Sequence, residues 1–188
     1  MNERETGRPK RKAKFSEVFW RHEAQRKTYM RQAIALSIKS VDEGGGPFGA
    51  VVVDLNTGEV IGRGKNRVTL YHDPSAHGEI EAIRDACKNT ERNDLVNCAL
   101  YTSAEPCPGC LTESLFNAGI KRIYYGNSVA NASAIGFADD KNWALIGTTA
   151  KKMLKQANGS LRQLLRGEAQ IAFEDWKLKL DKEEYYKS

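Results

Sequence analysis

Two short motifs constrain this chain more than anything else in it: His77-Gly78-Glu79 and Pro106-Cys107-Pro108-Gly109-Cys110. Each stands where the apolar pattern turns helical. Ile80, Ile83 and Cys87 recur at i, i+3 and i+7 after the Asp73-Pro74-Ser75 turn, which predicts a helix over 77–88. Pro108 opens a second predicted helix, over 108–118, entered through Cys107. Cys98 to Ser103 and Arg122 to Tyr125 read as strands before and after it. Alternation of this kind predicts an α/β domain with helices packed on the faces of one sheet.

The rest of the chain fits that layering. Apolar residues from Glu17 to Val41 recur at partly helical spacing, predicting one long helix or two short ones that end at Gly44-Gly45-Gly46-Pro47. Phe48 to Val53 and Val60-Ile61, joined through Asn56-Thr57-Gly58, predict a hairpin. Beyond Gly126, helices are expected at Trp143 to Leu154 and Leu161 to Leu165, and a short strand at Ile171 to Phe173. A chain of 188 residues, 40% hydrophobic and 28% charged, suits one domain, and no apolar run of about 18 residues exists to span a bilayer. Residues 1–31 carry a net charge of +6 and the remainder −1. The expected division is a basic extension over 1–25, a core over 26–160 and a C-terminal segment over 161–188. The extension has no apolar stretch of a secretory signal, so a cytoplasmic location is expected. It reads either as an arm attracted to nucleic acid or as a solvated tail.

One imidazole and two thiolates supply three zinc ligands and leave the fourth tetrahedral position to water, the arrangement of a catalytic site. The partial positive charge at a helix start favours the thiolates of Cys107 and Cys110. Two thiolates neutralise the metal charge, so water activation needs a base as well, and Glu79 is the acid placed to provide it. Two blander alternatives are a core His77 beside a redox Cys107/Cys110 pair, and a structural zinc completed by Cys87 or Cys98. Neither accounts for Glu79 or for the proline-flanked spacing.

The H-x-E and P-C-x-x-C pairing is the signature of zinc deaminases. With Gly45-Gly46-Pro47-Phe48-Gly49-Ala50-Val51, Asn66-Arg67-Val68-Thr69 and Ile135-Gly136-Phe137, the chain resembles the cytidine deaminase-like superfamily, and within it bacterial guanine deaminases, from about Ala33 to Tyr185. The resemblance implies a three-layer α/β/α fold around a central mixed sheet, with one Zn2+ per subunit held by His77, Cys107 and Cys110. It implies hydrolytic deamination of a nucleobase, with Glu79 as proton shuttle and Asp139, or its neighbour Asp140, as a second acid. Phe48 would stack on the base and Asn66 would hydrogen-bond it; otherwise Phe48 is a core residue and Asn66 closes a turn. Tyr185 would cap the site across a homodimer with exchanged C-terminal segments. Gly78, placed with Phe48 and Asn66 among the substrate-binding positions, stands where relatives usually have Ala; the missing methyl next to the metal is expected to enlarge the pocket or loosen the helix start. Rival readings are a tRNA or nucleic-acid adenosine deaminase served by the basic arm, a deaminase of cytosine or an aminotriazine, and a silent zinc scaffold.

Overall fold

The structure, a computed structural model, describes residues 22–137 and 143–183. Its helices are α1 (Glu23–Asp42), α2 (Val68–Tyr71), α3 (Gly78–Thr90), α4 (Pro108–Thr112), α5 (Val129–Ser133), α6 (Thr148–Gln156) and α7 (Arg166–Leu178). Short π-helical turns, Glu113–Asn117 and Trp143–Gly147, extend α4 and precede α6. Among the described residues, the first stretch is helical over 23–42. The buried stripe of α1 admits two serines because each hydroxyl finds an acceptor: Ser37 Oγ donates to the Ile34 carbonyl at 2.7 Å and Ser40 Oγ to the Asn66 carbonyl at 3.1 Å.

Strands β1 (Gly49–Asp54) and β2 (Val60–Lys65) form the expected hairpin. With β3 (Cys98–Ala104), β4 (Arg122–Asn127) and β5 (Ser160–Gln163) they make one sheet of order β2-β1-β3-β4-β5. β1 is antiparallel to both neighbours and β3, β4 and β5 run parallel, so the sheet is mixed.

The pleat sends alternate residues to two cores. Ala50, Val52, Leu100 and Ile123 face the cluster that includes Ala82 and Ile83 of α3, Leu111 of α4 and Leu154 of α6. Val51, Val53, Ala99, Tyr101 and Tyr124 face the cluster that includes Met30 and Ala33 of α1 and Ala169 of α7. Three layers result. The backbone of α3 lies so close to β2 that a Cβ on Gly64 would stand 2.1 Å from the Gly78 carbonyl oxygen, so no other residue fits there. The same helix covers the sheet edge: Asp85 Oδ2 accepts from the Arg63 N–H at 2.9 Å, and Asn89 Nδ2 donates to the Ile61 carbonyl at 3.0 Å. Among the described residues no helix is long and apolar enough to cross a membrane.

Two expectations are corrected. Leu161 to Leu165 is not helical: 160–163 form β5, paired in parallel with β4, because the turn at Asn158 (φ 55°) and Gly159 delivers the chain alongside that strand. Ile171 to Phe173 is not a strand but the middle of α7, whose buried residues Ala169, Ala172, Phe173 and Trp176 follow i, i+3, i+4, i+7 spacing, while Ile171 points out. In both places tertiary pairing overrode a short apolar run. β5 and α7 also make 161–178 part of the layered domain.

Candidate active site

The motifs meet where β3 ends. His77 is the N-cap of α3 and Cys107 the N-cap of α4. Pro108, whose missing N–H would have had no helical partner, occupies the next position. The Cys110 N–H donates to Cys107 Sγ at 3.4 Å, so a sulfur does the capping work usually done by a hydroxyl or carboxylate. His77 Nδ1 lies 3.7 Å from Cys107 Sγ and 3.4 Å from Cys110 Sγ. Tetrahedral zinc bonds of about 2.3 Å to sulfur and 2.0–2.1 Å to nitrogen put ligand atoms about 3.5–3.8 Å apart. The two nitrogen–sulfur separations match that spacing, and all three donor atoms lie within 4.8 Å of one another, as one zinc ion requires. Among the described residues this is the one group of its kind; Cys87 and Cys98 are not in it, and Cys98 is buried in the core.

The electrostatics of the pair are asymmetric. A hydrogen bond from the Cys110 thiol, then those from His77 and the Cys110 N–H, hold the Cys107 thiol far below its usual range, to about 4. Cys110, hydrogen-bonded to Cys107 and buried, is pushed the other way. Metal binding would displace the thiol protons that remain.

Glu79, in the first turn of α3, is buried, and its Oε1 accepts from Thr102 Oγ1 at 3.3 Å. Burial, then the Cys107 charge, pushes its carboxyl up to about 7. Thr102 belongs to the Tyr101 to Cys110 run that carries the resemblance, but nothing local in the sequence pairs it with Glu79; it and Ser103 are polar residues of a strand whose seven residues are all buried.

Phe48 and Asn66, the two residues expected to contact the base, stand just before β1 and just after β2. Phe48 is half-buried and packs edge-on against Phe137 (centroids 4.7 Å apart) and Phe173 (5.7 Å). Asn66 is buried, and its Oδ1 accepts from the N–H groups of Gly46 and Val68, both at 3.3 Å, so it closes the turn. Its own N–H donates to the Phe48 carbonyl at 2.9 Å. Gly78, between His77 and Glu79, packs against the same segment: a Cβ there would meet the Phe48 carbonyl oxygen at 3.1 Å and Gly49 at 3.3 Å. A cavity of about 450 Å³ opens on the outer side of the cysteines, beside Ile80 and Arg84 of α3. Asp139, Asp140 and Tyr185 lie outside the described residues.

A mixed-sheet α/β/α domain that holds one imidazole, two cysteines and a buried carboxyl at adjoining helix starts has the donor set of an open, catalytic zinc site. Residues 23–127 match the family described as cytidine and deoxycytidylate deaminase zinc-binding region, and the chain belongs to that family of hydrolytic deaminases. It is 36% identical over 159 residues to the guanine deaminase of Bacillus subtilis, covering 84% of this chain and 97% of that one. It is 39% identical over 115 residues to the tRNA-specific adenosine deaminase of Haemophilus influenzae, covering 59% and 65%. The solved guanine deaminase of Nitrosomonas europaea superposes with a TM-score of 0.69 at 27% identity, over 80% of this chain and 84% of that one.

Proposed function

We propose that the protein converts guanine and water to xanthine and ammonia. The observation that carries the reading is the buried Glu79 carboxyl beside the His77, Cys107 and Cys110 donors. Likeness to guanine deaminase over nearly the whole of the Bacillus chain selects the base. Zinc, one ion per subunit, would supply a Lewis acid that makes water a nucleophile near neutral pH. Glu79 takes a proton from the attacking water and passes it to the ring nitrogen beside the amino-bearing carbon, then takes the remaining hydroxyl proton and delivers it to the leaving amino group. The carbon–oxygen bond forms, the carbon–nitrogen bond breaks, and ammonia departs.

In this reading Phe48 packs on the base and Asn66 hydrogen-bonds it. Asp139 is the second acid, and Tyr185 caps the site from the partner in a homodimer that exchanges C-terminal segments. The site is assigned to a cytoplasmic enzyme acting on a free base. The rival, deamination of adenosine in tRNA, is supported by the Haemophilus relative and by the charge of residues 1–31.

Ammonia release is to be measured from guanine, adenine, cytosine, guanosine, an aminotriazine and a tRNA anticodon stem-loop, with Glu79→Gln as the blank. Release from guanine alone, lost in Glu79→Gln while zinc content is kept, is expected. Release from the stem-loop but not guanine would move the activity to nucleic acid, and near-normal turnover by Glu79→Gln would refute its role.

A further inference from the structure

We propose that Gly78 is a positioning residue that sets the gap between the base-holding wall, Phe48 and Asn66, and the metal motif, by letting the start of β1 close against α3. The inference rests on the roles proposed above for Phe48 and Asn66. Gly78 is not among the positive-φ glycines, so its backbone is open to any residue, and what its position excludes is a side chain. A Cβ would approach three backbone atoms: the Phe48 carbonyl oxygen at 3.1 Å, and Gly49 Cα and N, each at 3.3 Å. None can rotate aside as a flexible side chain would.

The peptide it would press on is held from three directions. The Phe48 carbonyl accepts from the Asn66 N–H at 2.9 Å, and the Gly49 N–H donates to Ser103 Oγ at 3.0 Å. Behind it lies α1: a Cβ on Gly49 would stand 2.4 Å from the Ser37 nitrogen and 2.6 Å from the Ala33 carbonyl oxygen. Strand and helix are therefore in backbone contact, with no slack for a retreat. A methyl at position 78 must either shift the 48–49 peptide, carrying Phe48 and Asn66 with it, or shift the first turn of α3, which carries His77 and Glu79. Both change the spacing between the base and the proton carrier. His77 and Glu79 do the chemistry, and the residue between them sets where the base sits.

The test is Gly78→Ala in the zinc-loaded full chain, with the base that the enzyme turns over. Gly167→Ala is the control, because a Cβ there meets nothing within 4 Å. Phe48→Ala and Asn66→Ala run in parallel. A displacement of a few tenths of an ångström should raise KM about three- to tenfold with a smaller change in kcat, while zinc content stays that of the control. A wild-type KM in Gly78→Ala, with KM raised in Asn66→Ala, overturns the inference and leaves the wall intact. Unchanged KM in both Phe48→Ala and Asn66→Ala overturns the wall and the inference with it. A Gly78→Ala chain that fails to fold also overturns it, since the contact would then serve stability and not spacing.

Discussion

Glu79 is a carboxyl placed where carboxylates are disfavoured, 6% exposed and beside a thiolate. His77 offsets this first, then the backbone N–H of Glu79, and then Thr102 through the 3.3 Å hydrogen bond to Oε1. Thr102→Val keeps the shape and removes the donor. It should lower stability by about 1–2 kcal/mol, read as a urea midpoint, and lower kcat about tenfold because the proton carrier is no longer held in one orientation. Thr102→Ser should restore most of both. Full kcat in Thr102→Val would show that the helix start alone orients Glu79.

The loop that delivers the cysteines is tied to the outer layer by a charge pair. Glu105, 6% exposed at its side chain, precedes Pro106-Cys107 and faces Lys151 of α6 at 2.7 Å; Lys151 Nζ also sits 4.3 Å from the Trp143 ring centroid. Removing the cation strands a buried carboxylate, which costs more than the pair itself contributes. Because Lys151 is half exposed, Lys151→Met should destabilise by only about 1–3 kcal/mol in urea unfolding. Adding Glu105→Gln should recover part of that loss. A double variant no more stable than Lys151→Met would assign the effect to packing against Trp143 instead.

Across the molecule, α1 and the loop after β2 are joined at one carboxylate. Glu43, just past α1, accepts from Lys65 Nζ at 2.7 and 2.8 Å and from Arg67 Nη2. Those two bonds, Lys65 first, pull its carboxyl from 4.5 to about 2. A carboxyl whose folded value is depressed stabilises the fold above its unfolded value and stops doing so as pH falls through the folded one. The stability difference between wild type and Glu43→Gln should be level from pH 7 to about 5 and close toward pH 2. It should shrink with added salt, the carboxylate being a third exposed. A difference that persists at pH 2 would mean that the carboxylate charge is not what joins the two elements.

The sequence by itself determined the alternation of strands and helices around the motifs, the three metal donors and the acid beside them. Those features are local: a turn, a proline at a helix start and a run of apolar residues are written over a few neighbouring positions. It also pointed to the family, through the resemblance of those motifs to the zinc-deaminase signature. Tertiary structure alone decided what a short apolar run becomes, making Leu161 a strand residue through pairing with β4 and Phe173 a helical one through burial with Phe48 and Trp176. It alone assigned Thr102 to Glu79 and Lys151 to Glu105, pairs brought together from distant positions by the stacking of layers. It also turned the missing methyl of Gly78 toward β1, because the direction of a Cβ has meaning only once a neighbour faces it.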